Sequence, residues 1–236
     1  MFYNKGLMTE GIEGERDNMK VNEKNVNIII NRLEKLYEEA KCSLEFDNPL
    51  QLLIATQLAA QCTDKRVNIV TADLFEKYKC ARDFADVDIS ELENDIKTTG
   101  FFRNKAKNIS ACCQMIIEKY NGKVPSCMEE LLKLPGVGRK TANVVLGDAF
   151  GIPGIVVDTH AGRLARRMGM TDKEDPVKVE YDLMKIIPKE MWSGFCHRLV
   201  FFGRDCCTAR KPKCKGCILE DICPKIGVNS IGEKVK

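Results

Sequence analysis

The stretch LLKLPGVGRKTANVVL, from Leu131 to Leu146, decides how the chain is read. A short helix ends at Leu134, Pro135 cannot extend it easily, and Gly136 and Gly138 leave backbone N–H groups unobstructed where a second helix begins. Free N–H groups and the helix dipole together make an anion site, and glycine lets a phosphate approach the backbone closely. A tight helix–helix turn without a ligand fits the same residues. The apolar flanks and Arg139-Lys140 directly after the turn favour phosphate.

Outward from this turn, helical spacing recurs and period-2 alternation does not, so the expected fold class is all-α with short connections. Val26, Ile29, Ile30, Leu33, Leu36, Tyr37 and Ala40 follow one helical face. Asn48-Pro49 reads as an N-cap followed by proline in the first turn. Ser90 with Glu93 and Ser126 with Glu129 have capping-box spacing. Gly100, Asn121-Gly122, Gly169 and Gly203 are expected helix stops, and Asp175-Pro176 opens a helix that Pro188 ends. Residues 1–19 are polar and glycine-bearing, and are expected to form a loose extension, with Met19 an alternative start.

At 236 residues and 44% hydrophobic, the chain is long enough for one or two domains with real cores. A net charge of +3 hardly marks a polyanion binder. Its distribution says more: Arg163, Arg166 and Arg167 form one basic cluster and Arg204 through Lys215 another, both suited to phosphate, although a solvated helix face is the commoner meaning. No apolar run reaches membrane-spanning length and no signal-peptide core precedes the first helix, so a cytosolic protein is expected.

Twelve cysteines in such a chain argue against a disulfide framework. Eight are scattered (Cys42, Cys62, Cys80, Cys112, Cys113, Cys127, Cys196 and Cys206) and read as small core residues. Cys207, Cys214, Cys217 and Cys223 are separated by six, two and five residues, and thiolates so close need a cation or metal cluster to hold them. Zinc sites usually pair two short knuckles, and only Cys214 and Cys217 form one here; a [4Fe–4S] cluster tolerates wider gaps. Spacing alone leaves both open.

Three segments carry a resemblance. LPGVGRKTA from Leu134 resembles the helix-hairpin-helix of DNA glycosylases, VDTH from Val157 resembles their aspartate-bearing segment, and the four-cysteine spacing resembles that superfamily's iron–sulfur loop. In this order, from about Val26 to Cys223, they resemble the endonuclease III family of DNA N-glycosylases and AP lyases acting on oxidised pyrimidines. The resemblance implies a [4Fe–4S] cluster on the four cysteines. It implies Lys140 as the amine that forms a Schiff base at the sugar, followed by β-elimination, and Asp158 as the assisting carboxylate. Gln61 would enter the gap left by an extruded nucleotide, with Phe101 as the apolar wedge; a close family member has leucine there, so Phe102 competes for the role. Gly136, Gly138, Arg139, Lys211 and Lys213 would contact the backbone of double-stranded DNA bearing damaged pyrimidines or abasic sites. A monofunctional glycosylase would lack the lysine at 140, and a binding module would lack chemistry. The expected organisation is a helical domain over 46–152 with the hairpin, and a cluster domain from 20–45 plus 153–236. DNA would cross the cleft between them, and a monomer is the simpler expectation.

Overall fold

The structure, a computed structural model, describes residues 21–228, so the expected N-terminal extension and Met19 lie outside the described residues. Among these the chain is helical, with no strand: α1 (Glu23–Leu36), α2 (Pro49–Leu58), α3 (Asp64–Lys77), α4 (Ala81–Asp86), α5 (Ile89–Asp95), α6 (Phe102–Tyr120), α7 (Met128–Leu131), α8 (Arg139–Val144), α9 (Thr159–Arg167), α10 (Pro176–Ile186) and α11 (Trp192–Asp205). None is long and apolar enough to cross a membrane.

Local chemistry sets most helix starts. Asn48 caps α2 by accepting from the Gln51 N–H at 3.1 Å, with Pro49 in the first turn, and Asp175 caps α10 by accepting from Val177 and Lys178. The two serine boxes do not form. Asp88 caps α5 instead, its carboxylate accepting from the Ser90 N–H at 2.7 Å, because a charged acceptor outcompetes a hydroxyl for the first-turn donors. At α7 the N-cap is Cys127, leaving Ser126 one residue outside. Gly203 is not a stop either: it lies within α11, where an added Cβ would stand 2.6 Å from His160 Nδ1 and 3.2 Å from His160 Cβ. That glycine allows close packing. At α1, Tyr37 is the C-cap and Ala40 lies beyond the helix.

The described chain divides into two compact units: one of 39–156 with 188–198, the other of 21–38, 157–187 and 199–228. In the first, α2 contributes Leu52, Leu53, Ile54 and Leu58 to a core shared with Phe84, Leu92, Ile96, Ile109 and Ile116. Each such side chain removed from water contributes about 1.5–3 kcal/mol, which is how short helices such as α4 and α5 hold against α6. In the second unit the buried apolar residues include Ile29, Ile30 and Leu33 of α1, Leu164 of α9, and Val179 and Leu183 of α10. Arg32 fastens α1 to the cysteine loop, donating to Ile218 O at 2.6 Å and pairing both nitrogens with the Asp221 carboxylate. That pairing holds Asp221 below the ordinary carboxylate range.

The scattered cysteines are not all core. Cys112, Cys113 and Cys196 are buried, but Cys80 and Cys127 are exposed N-cap residues, and Cys206 is half-buried beside the cysteine loop.

Candidate active-site residues and cysteine loop

The hairpin is anchored from below and open above. Leu131, Leu134 and Val137 are buried, and Val137 N–H donates to Leu134 O at 3.1 Å, closing the turn. Gly136 has φ +74°, and a Cβ there would meet Gln57 Oε1 at 2.7 Å and Asn108 Cβ at 2.9 Å, so glycine is required twice over. Gly138, the N-cap of α8, has nothing within 4 Å of where a Cβ would stand. Arg139 and exposed Lys140 occupy the first turn of α8, which widens at Val145–Ala149 into a π-helical turn. The helix is held underneath by buried Ala142, Asn143 and Val144, with Asn143 Nδ2 donating to Ile155 O at 3.0 Å.

In the same unit three exposed side chains stand on left-handed backbone: Asn121 at φ +52°, which only ends α6, Gln61 at φ +54° and Phe101 at φ +49°. Phe101 is 64% exposed, whereas Phe102 packs against the core with the Arg103 guanidinium 5.5 Å from its ring centre. The free aromatic tip is therefore Phe101. The buried amide of α2 is Gln57, 5% exposed, which lies beneath the hairpin turn at Gly136.

Sequence reasoning missed Lys105. Its side chain is buried, with Nζ donating to Leu58 O at 2.7 Å and to Thr99 O at 2.8 Å. Burial holds its pKa below the ordinary lysine value, against a smaller opposing pull from Cys62. An amphipathic spacing places residue 105 on the inner face of α6, but nothing in the sequence says which carbonyls it meets.

In the other unit, Asp158 is the N-cap of α9, its carboxylate accepting from the Ala161 N–H at 2.8 Å. Burial holds the neighbouring His160 imidazole below its ordinary pKa; Asp158 opposes this while Arg163 and Arg204 add to it. Two of the three arginines of α9, Arg163 and Arg167, form neither a phosphate-facing cluster nor a solvated helix face, the two readings the sequence left open. Arg163 donates to Gly203 O and Cys207 O, Arg166 to Lys173 O, and buried Arg167 to the carbonyls of Cys207, Thr208 and Ala209. With their terminal nitrogens turned onto main-chain carbonyls of the cysteine loop, Arg163 and Arg167 hold it in place.

Cys207, Cys214, Cys217 and Cys223 line one cavity with Arg167, Met168, Phe202 and Leu219. Cys207 Sγ accepts from Arg167 Nη1 at 3.3 Å, and Cys217 Sγ accepts from the Leu219 N–H at 3.4 Å. Four cysteine sulfurs around one cavity that Cys206 also lines, with N–H donors aimed at those of Cys207 and Cys217, are a donor set and outer shell that suit an iron–sulfur cluster. The residues present fit the group. Lys211 and Lys213 sit exposed on this loop, fixed by Thr208 Oγ1 donating to Lys211 O and by Lys213 N–H donating to Cys206 O.

Residues 54–189 match the profile of the HhH-GPD superfamily of base excision DNA repair proteins, and 207–223 match the iron–sulfur binding domain of endonuclease III. The chain is 54% identical to endonuclease III of Synechocystis sp. over 81% of its own length and 88% of that protein's. It is 48% identical to endonuclease III of Bacillus subtilis, covering 86% and 93% of the two chains. The chain belongs to the endonuclease III family. Among solved structures, a trapped covalent intermediate of endonuclease III with DNA, an estranged-adenine complex, superposes with a TM-score of 0.83 at 49% identity, covering 87% of this chain and 97% of that one. As an endonuclease III family enzyme of base excision DNA repair, the chain carries a [4Fe–4S] cofactor in its C-terminal domain.

Proposed function

We propose that this chain is a bifunctional DNA N-glycosylase and AP lyase that removes oxidised pyrimidines, with Lys140 as its nucleophile. The observation that carries the assignment is an exposed amine on the first turn after the hairpin, in a chain 49% identical to a protein captured covalently bound to DNA. The Lys140 amine attacks the sugar C1′, the glycosidic bond breaks, and the base departs with the bonding electrons and takes up a proton. The nitrogen then loses its proton, the C1′–O4′ bond of the sugar ring breaks with O4′ taking up a proton, and an imine remains; removal of a C2′ proton then expels the 3′ phosphate by β-elimination. Asp158, held by its capping hydrogen bond, stabilises the positive charge developing on the sugar and assists proton transfer. Gly136 and Gly138 let the DNA backbone approach the hairpin, with Arg139 beside it. Gln61 and Phe101 fill the space vacated by the extruded nucleotide. Cys207, Cys214, Cys217 and Cys223 hold the cluster. When bound, it cross-links the loop that presents Lys211 and Lys213 to the phosphates.

Borohydride tests the nucleophile directly, since it reduces an imine and leaves a stable protein–DNA adduct. Lys140→Gln is expected to bind lesion DNA while losing both adduct and strand scission. Adduct formation by Lys140→Gln at the wild-type rate would place the nucleophile elsewhere.

A further inference from the structure

Lys105 is a buried cation outside the machinery described above, and it touches two places at once. Leu58, whose carbonyl it meets at 2.7 Å, is the last residue of α2; Thr99, met at 2.8 Å, is the last residue of the 3₁₀ turn Lys97–Thr99. Both carbonyls lie at helix C-termini, where the main chain has acceptors to spare and the dipole favours positive charge. Three residues beyond Leu58 comes Gln61, and two residues beyond Thr99 comes Phe101. These are the two exposed residues held at φ +54° and +49°. Left-handed backbone is unfavourable for a glutamine and more so for a phenylalanine, and persists only where the surroundings fix it.

We infer that Lys105 is a positioning residue that clamps the Gln61 and Phe101 turns to one nitrogen, so that both side chains are presented together before DNA arrives. This rests on Gln61 and Phe101 being the inserted pair. Preorganising the pair lowers the ordering cost of extruding a nucleotide. That cost falls chiefly on intact lesion bases; a preformed abasic site has no base to expel.

The experiment uses full-length protein with its cluster. Single-turnover rates are measured for base excision from a thymine-glycol duplex and for scission of a preformed abasic site, alongside the fluorescence of 2-aminopurine placed opposite a tetrahydrofuran abasic analogue. Lys105→Met keeps the aliphatic stem and removes both hydrogen bonds. It is expected to slow excision by about 10-fold or more, change scission less than about 3-fold, and blunt the 2-aminopurine response. Lys105→Gln retains amide donors on a shorter stem and serves where Lys105→Met does not fold, with the same direction and a smaller effect. Gln61→Ala and Phe101→Ala calibrate the insertion itself. If those two shift the ratio of excision to scission and neither Lys105 variant does, the clamp is wrong. A proportional fall of both rates in the Lys105 variants also overturns it, as a lysine that only stabilises the fold would produce. If Gln61→Ala and Phe101→Ala leave both ratio and fluorescence unchanged, the insertion assignment fails first and the clamp falls with it.

Discussion

Gly136 and Gly138 stand two positions apart and serve opposite sides of the hairpin. Alanine at 136 must hold φ +74° and press on Asn108 Cβ, so Gly136→Ala should destabilise by about 1–2 kcal/mol from the backbone alone, and more from the contact. At this chain length the backbone part alone lowers Tm by about 2–8 °C by calorimetry. Alanine at 138 meets nothing within 4 Å, so Gly138→Ala should leave Tm within about 1 °C and weaken DNA binding by standing where a phosphate comes closest. Equal effects of the two substitutions on both measurements would overturn this division. Asp158→Asn separates differently from Lys140→Gln: with the amine intact, base excision should slow about 10²–10⁴-fold in single-turnover assays while some scission at a preformed abasic site survives. At this scale the sequence was legible where local structure is written in neighbours along the chain, as with the turn at Pro135, Gly136 and Gly138. Gln57 and Lys105 were not legible. Their significance lies in contacts with Gly136, Leu58 and Thr99, made only once α2 and α6 have packed.

The helices show the same boundary between local and tertiary information. Caps at Asn48 and Asp175 follow from a side chain reaching two or three residues along the chain, and both form as expected. The basic run of α9 misled, because three arginines in five residues look alike in sequence while two turn inward onto main-chain carbonyls. The exposed cations are on the cysteine loop instead, at Arg210, Lys211, Lys213 and Lys215. Lys211→Ala with Lys213→Ala should therefore weaken binding to damaged and undamaged duplex alike. The slope of log affinity against log salt should shrink by about 2, since each phosphate contact contributes about 0.9. A loss confined to lesion-containing DNA would show that these lysines read damage and not backbone.

For the whole molecule, the all-helical class could be read from periodicity, but what stabilises the C-terminal loop could not. Over 207–223 the only buried hydrophobic side chain is Leu219, and no helix runs through the loop. Too little apolar surface is removed from water there to offset the backbone entropy of ordering the loop. Its other ties are polar: hydrogen bonds within the loop, such as Thr208 to Lys211 O and Gly216 to Glu220, and from outside Arg163 and Arg167 of α9 and Arg32 of α1. Cluster binding must supply the remainder, since a site absent from the unfolded chain turns binding energy into folding energy. Removing iron with a chelator after mild oxidation should therefore act unevenly. Amide exchange should accelerate by at least about 10-fold, about 1.4 kcal/mol of lost protection, in the loop and in the facing turns of α1 and α9. The core of α2 and α6, which rests on Leu53, Ile54, Ile109 and Ile116, should keep its protection. Exchange that accelerates equally in both units would mean that the cluster stabilises the chain globally. Unchanged exchange in the loop would mean that the arginine ties suffice without the cluster.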